Sequence, residues 1–276
     1  MSQSRPPHIS DAHDGGGHEV VLLGGIANRG KVVHIGDTVH RPQRATARAT
    51  HALLQHLEAV GFDGAPRFLG VDHRNREILT YVSGTPVLPP YPDWALIDEA
   101  LMSVAKLLRA YHDAVADFDP TPYRWPQSPP ESMAGELVSH NDPNLDNIIF
   151  RDGKAVALID FDLASPGSRL WDVACAARLW TPLRPDVFVK DARRGRTFER
   201  LRLFVDSYGL DHVERSRILS AVERNQRWFS QLVERHIAAG HTAFLRYKKA
   251  ETRMPPDEYS SWLYENQKLI RDALGP

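Results

Sequence analysis

The stretch Leu137–Asp162, LVSHNDPNLDNIIFRDGKAVALIDFD, constrains this chain more than any other. A polar run from His140 to Asn147 precedes two apolar runs, Ile148-Ile149-Phe150 and Ala155 to Ile159, and Asp152-Gly153 parts them. Asp-Gly between apolar runs is a hairpin signal, because both turn positions favour positive φ. A hairpin of this shape sets the end of its leading loop beside the end of its second strand. The pattern therefore predicts that Asp142, Asn147 and Asp160 share one small volume.

Three oxygen-bearing side chains gathered in this way suit phosphoryl transfer from a magnesium nucleotide. Mg2+ takes hard oxygen ligands and keeps waters and phosphates among them, so one carboxylate and one amide suffice. A second carboxylate, off the metal, can orient a hydroxyl and accept its proton. Turn chemistry also places Asp and Asn in loops, but it demands neither this spacing nor a second Asp at a strand end. His140, Asp142 and Asn147 match the H-x-D-x-x-x-x-N order of kinase catalytic loops, and Ile159-Asp160-Phe161 puts Asp160 eighteen residues after Asp142.

On these motifs the chain resembles the aminoglycoside phosphotransferase family, small-molecule kinases of the protein-kinase-like fold. The stretch from GDTVHRP to FLGVD is similar to a branch of that family related to trifolitoxin immunity proteins. The resemblance implies an α+β, two-lobed fold, with a β-rich N-terminal lobe, a mainly helical C-terminal lobe, and ATP or GTP between them. It implies Asp142 as the catalytic base, Asn147 and Asp160 as Mg2+ ligands, His140 as support of the loop, and Asp172 as a brace of its backbone. The implied acceptor is a small molecule, an aminoglycoside-like or other cationic antibiotic. The alternatives are a metabolite kinase and a non-catalytic immunity or nucleotide-binding protein.

The rest of the chain is read around that centre. Residues 1–18, rich in Ser, Pro, Gly and His without an apolar core, are expected to be a disordered tail. Residues 19–83 are expected to form the nucleotide lobe. Gly24, Gly25 and Asn28 lie in a glycine-containing loop that suits a phosphate flap or is only a turn. Gly36-Asp37 signals a tight turn into a strand that puts Val39 and Arg41 on one face. By resemblance this strand carries the phosphate-binding Lys, and Arg41 stands there; a strand-end residue is the competing reading. The family's helical Glu has no counterpart in Ala49-Thr50-His51, which leaves the expected ion pair without an acid; His51 and His56 read as surface or packing residues. Thr80 to Val82 is the implied adenine-binding hinge, or else a plain strand end.

Residues 84–93, with their prolines, read as a linker, and 94–276 as the catalytic and acceptor-binding lobe. Apolar residues from Ile97 to Val115 repeat at helical spacing within Trp94–Phe118. Helical patterns recur over 191–208, 213–239 and 256–274. The run Lys190–Arg196 reads as a solvated helix end in preference to a nucleic-acid patch, since 34 basic and 35 acidic residues nearly cancel. The single cysteine, Cys175, reads as a buried thiol and fits a reducing, cytoplasmic setting. No run reaches the ~20 apolar residues that span a bilayer. For the acceptor pocket two sets of residues compete: the acids Asp162, Asp257, Glu258 and Glu265, and the aromatics Trp228, Phe229, Trp262 and Tyr264.

Overall fold

The computed structural model describes residues 18–22, 30–135, 137–241, 244–245 and 254–275. Gly24, Gly25, Asn28 and residues 1–17 of the expected tail lie outside that set. The N-terminal part is a five-stranded antiparallel sheet in the order β1-β2-β3-β5-β4, from β1 (Val20–Val21), β2 (Val33–Ile35), β3 (Thr38–Pro42), β4 (Phe68–Val71) and β5 (Arg76–Thr80). Gly36 takes positive φ in the turn that pairs Ile35 with Thr38, as the sequence requires. Helix α1 (Ala47–Ala59) buries Leu53, Leu54 and Leu57 on one face, each worth roughly 1.5–3 kcal/mol when fully removed from water. It ends in a Schellman turn: Gly61 is left-handed, and Phe62 and Gly61 donate to the carbonyls of Leu57 and Glu58.

The C-terminal part is mainly helical. Helices α2 (Asp93–Leu96) and α3 (Asp98–Ala114) replace the single helix expected over 94–118. Ile97 breaks it in extended backbone and is 44% exposed, so it leaves the apolar stripe. The break has a cause: the Leu96 carbonyl, freed from helical bonding, accepts from the buried Arg200 at 2.7 Å. Then follow α4 (Arg169–Trp180), α5 (Thr197–Tyr208), α6 (His212–Ala238), α7 (Pro256–Glu265) and α8 (Gln267–Leu274). Ser168 caps α4 and an Asp211/Glu214 capping box starts α6. Helix α5 starts at Thr197, not 191, and the basic run that leads into it is solvated at Lys190 and Arg194 but not at Arg193. Arg193 is 1% exposed, chelates Asp191 and donates to the Leu179 carbonyl.

Two small sheets frame the centre. Strands β8 (Ile148–Arg151) and β9 (Lys154–Leu158) form the expected hairpin, with Asp152 and Gly153 both at positive φ. Strand β6 (Thr85–Pro86), inside the expected linker, pairs onto β8. Strands β7 (Leu137–Ser139) and β10 (Ser165–Gly167) pair across the hairpin's flanks. The Leu158 N–H donates to the Gly64 carbonyl, and Leu53, Leu54 and Leu57 share one apolar core with the C-terminal helices. Among the described residues no helix is long and apolar enough to cross a membrane.

Candidate active site

The loop between β7 and β8 is fixed from below by Asp172, the fourth residue of α4. Its carboxylate accepts from the backbone N–H of His140 at 2.7 Å and of Asn141 at 2.9 Å, and from His112 Nε2 at 3.1 Å. Full burial alone would raise this carboxyl's pKa. The hydrogen bond and charge of His112, with the backbone N–H of His140, hold it below the ordinary value. His112 Nδ1 is tied in turn to the Tyr208 hydroxyl at 2.7 Å.

His140 is fully buried, and its two nitrogens have separate jobs. Nδ1 accepts from the Asp142 N–H at 3.3 Å, so Nε2 carries the proton and donates to the Ile159 carbonyl at 3.1 Å. Burial pushes its pKa down, which keeps the ring neutral and this tautomer in place. The loop that starts the hairpin is thereby hung on the strand end that carries Asp160. The side chain of Asn141, whose own backbone has positive φ, donates to the Leu163 carbonyl and Ser165 Oγ, both at 2.8 Å, and accepts from Trp171 Nε1 at 2.8 Å. Cys175 Sγ donates to the Asn141 carbonyl, and burial pushes this thiol up to about 12, so it serves as packing.

Asp142, Asn147 and Asp160 do come together. The Asn147 amide Nδ2 donates to both the carboxylate and the carbonyl of Asp142 at 2.9 Å, and Asn144 Nδ2 donates to the other carboxylate oxygen at 2.8 Å. The Ile159 N–H donates to the Asn147 carbonyl, bringing Asp160 alongside. Asp160 sits in left-handed backbone (φ 62°, ψ 65°), a conformation that costs a non-glycine residue about 1–3 kcal/mol and recurs at functional sites. Burial first, then the carboxylates of Asp160 and Asp146, push the Asp142 carboxyl up to about 8. Asp146 is raised as well, by its burial and by Asp160.

From the sheet above, Arg41 reaches the same point. Its Nη1 donates to Asp160 at 2.9 Å, Nη2 lies 3.0 Å from Asp162, and Nε donates to Glu77 at 2.5 Å. Burial would lower the guanidinium's pKa, but Asp162, Asp160 and Glu77 together hold it above the ordinary value. The acid that the sequence left missing is therefore present, on β5 instead of α1. His51, read from sequence as a surface or packing residue, donates from Nε2 to the other Glu77 oxygen at 2.6 Å. Glu77 shares strand parity with the buried Leu79, which is the signal that could have nominated it. Asn141 gave no such signal, because its partners lie 22 to 30 residues further along. Arg44 pairs with Asp162, and Arg48 is exposed.

The remaining expected positions divide. Val39 lies opposite Leu79 on β3. In the hinge segment the N–H groups of Thr80 and Tyr81 donate internally, to the carbonyls of Arg67 and Asp37. Those two N–H groups are therefore already engaged. Asp257, Glu258 and Glu265 are exposed. The four aromatics do not form one wall: Trp228 packs edge-on against Trp171, Phe229 lies under Arg178, Trp262 stacks on Phe198, and Tyr264 is 74% exposed.

Comparisons with known proteins bear on the family and the fold. The model of the phosphotransferase enzyme family (APH) matches residues 124–204, which include the whole loop and hairpin. The trifolitoxin immunity protein of Rhizobium leguminosarum bv. trifolii is 33% identical over 213 residues, covering 71% of this chain and 76% of that protein. A choline/ethanolamine kinase family protein from Mesorhizobium loti superposes with a TM-score of 0.56 at 14% identity, covering 94% of this chain and 92% of that one. The streptomycin-ATP-APH(2″)-IIa ternary complex gives 0.53 at 13% identity, covering 88% of this chain and 93% of that one. At those identities the two structures establish the two-lobed kinase-like fold.

Proposed function

This chain belongs to the phosphotransferase enzyme family, a small-molecule phosphotransferase by descent, and from that premise we propose that it moves the γ-phosphoryl group of ATP or GTP to a hydroxyl of its acceptor, with Asp142 as base and Asn147 and Asp160 as Mg2+ ligands. The observation that carries this reading is the junction of Asn147 with Asp142 and of Arg41 with Asp160 in one place. The donor set fits Mg2+. With Nδ2 of Asn147 spent on Asp142, its amide oxygen remains a hard ligand, and the Asp160 side chain is 31% exposed. One carboxylate and one amide leave room for phosphate oxygens and waters, and the bound ion would neutralise phosphate charge.

The protein's own groups supply positioning and proton acceptance. Two amide donors fix both oxygens of the Asp142 carboxylate, so its approach to a hydroxyl is set in advance. As the acceptor oxygen bonds to phosphorus, the bond to the β-phosphate oxygen breaks, the nucleoside diphosphate leaves, and the hydroxyl proton passes to Asp142. In this reading Arg41 contacts the phosphates, while Val39 and the Thr80–Val82 segment line the adenine side.

For the acceptor, the immunity relative and the streptomycin complex support an antibiotic, and the choline/ethanolamine kinase relative supports the metabolite alternative. A cationic acceptor draws no support from the acids first nominated for it: three are solvent-facing, and Asp162 is engaged by Arg41 and Arg44. The test is ATP and GTP consumption, with and without Mg2+, against aminoglycosides, macrolides, cationic peptides, sugars and amino alcohols, with mass spectrometry of the products. Phosphate on an antibiotic is expected. Phosphate only on a sugar or amino alcohol moves the acceptor to the metabolite class, and an absence of nucleotide binding overturns the kinase reading.

A further inference from the structure

Antiparallel pairing of β3 with β5 sets Arg41 directly opposite Glu77. Glu77 is 3% exposed, and each of its oxygens has one donor, Arg41 Nε on one and His51 Nε2 on the other. A carboxylate only accepts, so Nε2 of His51 must carry a proton. The imidazole is also locked in orientation, stacked on Phe68 of β4 with ring centroids 3.7 Å apart and planes 13° from parallel. Its neighbours on α1, Thr50, Leu53 and Leu54, are buried, which fixes the helix that carries it.

Glu77 thus grips one edge of the guanidinium, and the opposite edge, Nη1 and Nη2, is turned to Asp160 and Asp162 in the other lobe. A guanidinium is planar, so fixing Nε fixes where both Nη atoms point. Removing Glu77 would leave a buried N–H without an acceptor and free the plane to rotate. Removing His51 would leave Glu77 aimed but detach α1 from it.

We infer that Glu77 and His51 are positioning residues of the nucleotide site, a bridge from strand to strand to helix that aims Arg41 and couples α1 to it. The inference rests on the proposed role of Arg41 at the phosphates. It assigns to β5 the acid that the sequence sought on the helix, and to an imidazole the contact through which the helix senses the cation's position.

The experiment measures Mg·ATP affinity of the full-length protein by displacement of a fluorescent ATP analogue, with a melting curve for each variant. Glu77→Gln should weaken binding about tenfold, the scale of a lost hydrogen bond to a charged group, and His51→Gln about threefold. Glu77→Ala/His51→Glu, which returns the acid to the helix, should recover most of the loss seen in Glu77→Ala, and that recovery is what a purely structural pair would not give. If Glu77→Gln will not fold, His51→Gln and the double variant still decide. Wild-type affinity in folded Glu77→Gln, with Arg41→Ala weakened, overturns the positioning role and leaves that of Arg41 standing. Wild-type affinity in Arg41→Ala removes both, and affinity that tracks melting temperature in every variant, without recovery in the double, reduces the bridge to a stability element.

Discussion

Asp172 and Glu77 hold opposite walls of the same cleft, and they hold them differently. Asp172 accepts from two consecutive backbone N–H groups and one imidazole, so it fixes the path of the chain itself. Glu77 accepts only from side chains, on two other elements, so it fixes the direction of one group and leaves the backbone alone. The first arrangement makes a rigid floor on which Asp142 and Asn147 are preset. The second makes a roof set by side chains, in which, on the proposed reading, Arg41 would exchange a carboxylate partner for a phosphate while the sheet stays in place.

That contrast can be broken at graded cost. Asp142→Asn should lower kcat by ~10²- to 10⁴-fold, the range of a lost general base, with nucleotide affinity nearly unchanged; a variant that keeps more than a tenth of the wild-type rate would defeat the assignment. Asp172→Ala strands two backbone donors and an imidazole in a dry interior, and a denaturant melt should show about 3–5 kcal/mol of lost stability. A loss near zero would mean the floor does not depend on its brace. On the roof, Arg41→Ala should raise the nucleotide KM about tenfold and lower stability by less than Asp172→Ala does, because Glu77 is left buried without its cation but no backbone donor is stranded; Arg41→Lys should restore only part of the KM because the planar fork is gone. Coincident large losses of stability and affinity at Arg41 would erase the distinction between the two walls.

The smallest effect is set by pH. His140 in the folded protein lies below its ordinary pKa of 6.5 because it is buried, and Asp172 lies below its ordinary 3.8. Both groups bind fewer protons folded than unfolded, so stability rises with pH. The His140 contribution is complete above 6.5 and drains away as pH falls below it; that of Asp172 holds down to about 3.8 and is lost further down. The melting-temperature difference between wild type and His140→Asn should therefore shrink from pH 7 to pH 5, while the raised carboxyls of Asp142 and Asp146 act with the opposite sign in both proteins. An unchanged slope in the variant would place the titration elsewhere.

How much of this was legible in the sequence follows the same division. The floor is encoded locally: the hairpin turn, the loop spacing and Asp172 all lie within 36 residues, the first two legible as pattern and Asp172 through the family resemblance. The roof depends on strand register. Glu77 stands beside Arg41 only because β3 pairs β5 at that offset, and no spacing rule links residues 36 apart in different strands. The same limit hid the break at Ile97, whose cause is Arg200, 104 residues from the carbonyl it takes.

Asn141 carries a consequence for how this chain can change over generations. Its amide is shared among Leu163, Ser165 and Trp171, so a change at 141, 165 or 171 is felt at the other two. Losing Asn141 first strands a buried indole N–H and a hydroxyl, at about 1–3 kcal/mol for each unsatisfied group. Trp171→Phe and Ser165→Ala remove those two demands in advance, but the Leu163 carbonyl would still lose its donor, so the amide at 141 keeps a task that no other side-chain change relieves.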